Sequence, residues 1–264
     1  MIWDRVIQFL IDFFLYVPDG NGGYSIYSDN LGEGAFGYRH LLWMAAVVFL
    51  VFLMYGWAKR HPAGARRFVI VFSILLFGTR LTHQIVRAVL GVENPWTQAF
   101  PFHMCTVLTF VMPVVAAFDL KSIKAPVFVL GIMGGVITIL NGDYFGSRFL
   151  NFGALEGMSA HMLLILIPVA EMGSGRFRLR FSESWKVIVG ILVLMGWATL
   201  ANRVFYKGLD ANYMYLEHNA LPFGNDTNFR LFYVLIFGFF FGCLYGLPPL
   251  FRSLSERLRV RRAA

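Results

Sequence analysis

The chain has 264 residues, of which 58% are hydrophobic and 14% charged, with a formal net charge of +8. A soluble domain carries about 25% charged residues, and the apolar residues here run in blocks near the roughly 20 needed to cross about 30 Å of hydrocarbon. The composition leaves no room for a sizeable soluble domain and predicts an all-α, polytopic membrane helix bundle.

Residues 1–17 lack the features of a secretory signal. Asp4 stands where a basic segment belongs, and no small-residue cleavage site follows. Asp4, Gln8 and Asp12 recur every four residues among Trp3, Val6, Ile7, Leu10, Phe13 and Phe14. This narrow polar stripe predicts an interfacial helix lying along the bilayer, with a short extra span as the alternative. The Gly-, Asn-, Ser- and Asp-rich stretch 18–37 reads as a loop. Residues 1–38 thus precede a transmembrane bundle over 39–251, and a basic tail, 252–264, follows it.

Seven spans are expected at 39–59, 67–91, 98–118, 125–142, 157–173, 184–206 and 229–251. Alternate connections and the tail hold fifteen basic residues, among them Arg66, Lys124 and Arg176, against six on the other side. The positive-inside rule then puts the C-terminus in the cytoplasm and the N-terminus outside, in a bacterial plasma membrane. The basic tail reads as an orientation signal touching anionic lipid, not as a nucleic-acid site. The outer connections hold acids, including Asp143 and Glu156.

An ionisable group at the centre of a span costs at least about 2.5–3.5 kcal/mol and so has a task or a partner. Here such groups gather in the outer half. Arg80, His83 and Arg87 repeat at i, i+3 and i+7 on one helical face. They form either an ion-pair network with an outer acid such as Asp143 or a phosphate clamp, since guanidinium suits phosphate oxygens. Span three opens with Gln98, His103, Cys105 and Thr106, span four ends with Asn141, and span five begins with Ser159 and His161.

Cys105, early in a helix after Pro101, is placed for a reactive thiolate, and a histidine from another element completes a nucleophile–base pair. On a regular helix His103 and Cys105 face different ways, which favours His161 as the base; an irregular first turn would bring His103 in. A buried span cysteine also serves simply as a small packing residue, the reading given to Cys243. Gly131 and Gly135 fit small-xxx-small helix packing. No His spacing suggests a metal site, and neither metal nor cofactor is expected.

Two segments resemble a known family. Pro101-Phe-His103-Met-Cys105 is similar to the P-[LF]-H-x-C signature of YwaF-like membrane proteins, which include the animal transmembrane-protein-164 acyltransferases. Asn212-Tyr213-Met214-Tyr215-Leu216 resembles that family's N-Y-M-Y-L segment, and His161 falls where the family has its other membrane histidine. The likeness covers roughly residues 39–250, departing at the long loop 18–37, with Phe102 in the motif's variable position.

The resemblance implies a CoA-independent transacylase moving a fatty acyl chain from a phospholipid to a lysophospholipid through a cysteine thioester. Cys105 would be the nucleophile, His161 the general base and His103 an assisting group. Asn212 and Tyr213 would line the site. Arg80, His83 and Arg87 would hold the head-group phosphate, and Asn141 or Gln98 could face the oxyanion. The competing expectations are a carrier or receptor binding a lipid or small ligand in an outer polar cavity, and a lipid hydrolase using the same pair.

Overall fold

The computed structural model describes residues 2–14, 17–18, 24–25, 36–89, 100–142, 152–208, 211–219 and 224–263. Its helices are α1 (Ile2–Phe14), α2 (Tyr38–Arg60), α3 (Pro62–Val89), α4 (Met104–Phe118), α5 (Lys121–Asn141), α6 (Phe152–Gly173), α7 (Ser184–Leu200) and α8 (Phe229–Ala263). A two-residue antiparallel pairing, Val17–Pro18 with Tyr24–Ser25, lies between α1 and α2.

Among the described residues six helical segments are long and apolar enough to cross a membrane, and α4 is a shorter apolar helix. The protein is therefore an all-α, polytopic integral membrane protein, as the hydropathy predicts. The 13 residues of α1 reach only about 20 Å, short of a crossing. The chain forms two compact units, Met1–Phe177 and Arg178–Ala264.

In the first unit α6 is the central helix and packs on α2, α3 and α5. Its residues from Gly153 to Glu171 are almost all buried, whereas α2 exposes Leu41, Leu42, Val48, Phe49, Phe52 and Leu53, the face a lipid-facing helix presents. Glycines set how closely α5 and α6 approach. A methyl at Gly131 would stand 3.2 Å from the Leu164 carbonyl oxygen, and one at Gly135 only 2.7 Å from the His161 carbonyl oxygen. This is the small-xxx-small contact expected from the sequence. α5 ends at Gly142 in a left-handed conformation (φ 71°), the usual C-terminal stop. A methyl there would fall 2.5 Å from the His40 ring.

Charge ties the bundle together at the α5 N-terminal end. Lys124 is buried and hydrogen-bonds both Asp119 and Glu171, the latter at 2.8 Å. Arg66 donates to the Ala116 and Ala117 carbonyls at 2.5 and 3.1 Å, capping α4, and Arg176 pairs with Asp119 at 3.3 Å and Glu171 at 3.5 Å. The hydrogen bond from Lys124 holds the Asp119 carboxyl below its ordinary range. Lys124 is thus a buried ion-pair member and not the connection residue its position suggests.

In the second unit α7 runs into a π-helical stretch, Ala201–Phe205, and α8 begins after a turn in which Asn225 Oδ1 accepts from the Thr227 and Asn228 amides.

The glycine contact makes a stability prediction. Gly135→Ala forces α5 from the α6 backbone and costs about 1–3 kcal/mol, the range for overpacking. It should lower the thermal midpoint in detergent, whereas Gly196→Ala, with no atom within 4 Å of the added methyl, should not.

Candidate functional site

The site residues of the first unit come from α3, α4, α5 and α6. α4 does not begin at Pro101 but at Met104, with His103 as its extended N-cap residue (φ −72°, ψ 140°) making no side-chain cap hydrogen bond. Cys105 is the second helical residue. The thiol lies against α5, 3.0 Å from where a Gly134 methyl would be. Gly134 is seven residues before the α5 end, so α4 starts about 10 Å inside the bundle. The positive end of its dipole and the amides that a helix start leaves without intrahelical partners are therefore carried to the thiol. His103, being outside the helix proper, is not bound by the regular-helix geometry that separates it from Cys105.

Gly134 and Gly135 point about 100° apart. One faces the thiol-bearing turn of α4 and the other the His161 turn of α6. Cys105 and His161 are thereby held at one level of the bundle. The half-buried thiol hydrogen-bonds the Thr138 side chain, one turn beyond Gly134 on the same face. His161 is buried, and its Nδ1–H donates to the Gly157 carbonyl at 2.6 Å. A carbonyl only accepts, so Nδ1 carries the hydrogen and Nε2 is the basic nitrogen.

The Arg80 stripe is an ion-pair network, but its acid is Glu156 and not Asp143, which lies outside the described residues. Glu156 is buried in α6, not in a connection. His83 Nδ1–H donates to its Oε2 at 2.9 Å, and Arg80 Nε stands 3.3 Å from its Oε1. The Arg80 guanidinium is also 3.4 Å from the His83 ring. Arg80 interacts electrostatically with both the Cys105 thiol and the His161 ring, and Glu156 with the His161 ring. Phe152 meets His83 edge-on at 6.0 Å and contacts Phe13 and Phe14 of α1.

Other residues singled out in the sequence take different places. Asn141 is exposed at the last position of α5. The side chain of Arg87 and the whole of Gln98 lie outside the described residues. His40 is structural: Nδ1 accepts from the Phe36 amide at 2.8 Å, so Nε2–H donates to the Ile139 carbonyl at 2.6 Å, joining α2 to the end of α5.

Asn212 and Tyr213 belong to the second unit, where they organise a loop. Asn212 Oδ1 accepts from the Glu217 and His218 amides, and Nδ2 donates to the His218 carbonyl. Asn202 clamps the Tyr213 backbone, its Oδ1 accepting at 2.8 Å and its Nδ2 donating at 3.2 Å. Met214 and Tyr215 are left-handed at φ 54° and 56°, a strain of about 1–3 kcal/mol each that these two asparagines hold in place. Asn202, Glu156 and Thr138 were not singled out as site residues from the sequence.

Among the described residues no three metal-ligating side chains gather at one point. The fold and these groups define a polytopic helical membrane protein with a cysteine, histidine and ion-pair cluster inside one end of its first unit. The TMEM164 family model matches residues 35–246, and the chain belongs to the TMEM164 family. No curated protein and no solved structure matches it.

The buried network predicts strong coupling. Glu156→Gln leaves Arg80 without its counter-charge and should cost about 3–5 kcal/mol. In Arg80→Gln/Glu156→Gln the loss should be well below the sum of the single losses, as read from detergent denaturation in a double-mutant cycle.

Proposed function

We propose that the protein is a CoA-independent phospholipid transacylase working through a Cys105 thioester. The reading rests on family membership together with one geometric observation: adjacent glycines of α5 hold the Cys105 turn of α4 and the His161 turn of α6 at one level. A cysteine and a histidine from separate helices, inside a water-poor bilayer, suit acyl transfer over hydrolysis.

In the first half-reaction His161 Nε2 takes the thiol proton as Cys105 Sγ attacks an acyl ester carbonyl of a phospholipid. The tetrahedral adduct collapses, the ester C–O bond breaks, and the departing lysophospholipid oxygen takes the proton from His161. In the second half-reaction the hydroxyl of another lysophospholipid gives its proton to His161 and attacks the thioester. The thiolate leaves and is reprotonated, and neither CoA nor metal takes part. His103, at the N-cap, assists at the same turn. Arg80, already committed to Glu156 and His83, is assigned an electrostatic part and not the phosphate clamp. The basic connections support a cytoplasmic Lys124 end, and on this reading the thiol serves the outer leaflet of a bacterial plasma membrane.

Intact-protein mass spectrometry after incubation with phosphatidylcholine vesicles should show one acyl adduct on the wild type and none on Cys105→Ala. Transfer to added lysophospholipid should fall at least about 10²-fold in His161→Ala, the scale of a lost general base. Full transfer by Cys105→Ala would end this reading. Free fatty acid released without an acceptor would make the protein a hydrolase, and lipid movement without acyl exchange a carrier.

A further inference from the structure

Acyl transfer to sulfur needs more than a nucleophile and a base. The carbonyl oxygen gains a full charge in the tetrahedral adduct, and a preorganised donor at that point is worth a factor of hundreds in rate. The sequence offers Asn141 and Gln98 as residue types for this task. Asn141 is an exposed residue at the end of α5, while the thiol has a different polar neighbour.

Thr138 lies on α5 one turn past Gly134, and positions four apart share a helical face. Gly134 supplies the space into which the sulfur fits, 3.0 Å from where its methyl would stand, and Thr138 supplies the hydroxyl that hydrogen-bonds that sulfur. A hydroxyl rotates to suit its partner. The group that bonds sulfur in the resting protein can therefore turn to an oxygen on the carbon that sulfur attacks, one bond further out. The Cys105 amide sits in the first turn of α4 beside the sulfur.

We propose that Thr138 is the oxyanion donor of the acyl-transfer site, an inference that rests on the thioester reading above. As the S–C bond forms and the thiol proton passes to His161, the carbonyl π electrons move onto oxygen. The Thr138 O–H then shifts its hydrogen bond from sulfur to that oxygen. Collapse of the adduct returns the electron pair, expels the lysophospholipid oxygen with the proton from His161, and restores the hydroxyl to the thioester. The hydroxyl keeps its own proton throughout, so the step balances without a co-reactant.

The test compares two reactions of the same sulfur. Acylation by phosphatidylcholine develops an oxyanion; alkylation by iodoacetamide displaces iodide and develops none. Thr138→Val keeps the side-chain shape and removes the hydroxyl, and Thr138→Ser keeps the hydroxyl. Acylation of Cys105, timed by intact mass, should slow about 10²-fold in Thr138→Val and stay within a few-fold of wild type in Thr138→Ser. Iodoacetamide labelling of Cys105 should stay near wild type in Thr138→Ser and slow far less than acylation in Thr138→Val, where only the resting hydrogen bond to sulfur is lost. Equal losses of acylation and alkylation in Thr138→Val would reduce Thr138 to a residue that positions the thiol and overturn the proposal. Unchanged acylation would overturn it outright while leaving the thioester reading standing. A wild-type protein that transfers acyl chains without ever carrying one on Cys105 would overturn both.

Discussion

Side chains on different helices come together only if the helices meet, and in this protein Gly134 and Gly135 govern how closely α4 and α6 approach α5. Helix axes stand 8–10 Å apart in ordinary packing, and small residues let backbones come closer in a bilayer, where no hydrophobic force drives helices together. Gly135 brings the α6 backbone against α5 at the His161 carbonyl, and Gly134 admits the Met104 and Cys105 side chains of α4. Because the two residues are consecutive, both approaches occur at one height. Any side chain at either position would spread the bundle where the thiol and imidazole lie.

The same unit carries buried charge at two levels, each compensated locally. Lys124, Glu171, Arg66, Arg176 and Asp119 join α3, α4, α5 and α6 at one end. Arg80, His83 and Glu156 join α3 to α6 nearer the other. Neither group would survive in hydrocarbon unpaired. Their pairing fixes the rotation of α6 about its own axis, since Glu156 must face α3 and Glu171 must face α5 together. With that rotation set, Gly157 and His161 face the interior, and the backbone carbonyl of Gly157 selects the imidazole tautomer.

The helices were legible in the sequence because hydropathy records what faces lipid, and among the described residues six of the seven expected spans are helices of crossing length. Gly131 and Gly135 were legible as packing residues, and the gathering of polar residues pointed to Cys105 and His161 as a candidate pair. Glu156 was not, because an acid near a span boundary reads as part of a connection, and only the extension of α6 back to Phe152 puts it inside. Lys124 misled for the same reason. Thr138 left no signal: a threonine in an apolar helix commonly bonds its own backbone, and only the position of α4 gives its hydroxyl a sulfur. The loop contacts of Asn212 left no signal because its partners are backbone groups of its own loop, which carry no side-chain signature.

The arrangement of Arg80 and Glu156 bears directly on why a proton could move between two buried groups. Passing the thiol proton to an imidazole separates charge, leaving sulfur negative and the ring positive, and in a low-dielectric site that separation is costly unless the surroundings already hold the opposite pattern. Arg80 acts on both the thiol and the His161 ring, and Glu156 acts on the ring. The ion pair is neutral as a whole, so it can be buried at rest. Its positive member favours a negative sulfur but opposes a positive ring, and its negative member favours that ring. In the proposed reaction Arg80 thus favours the thiolate, while Glu156 offsets part of the effect of Arg80 on the ring. The network needs no rearrangement at the moment of reaction, because His83 and the packing of α3 on α6 already hold both ends.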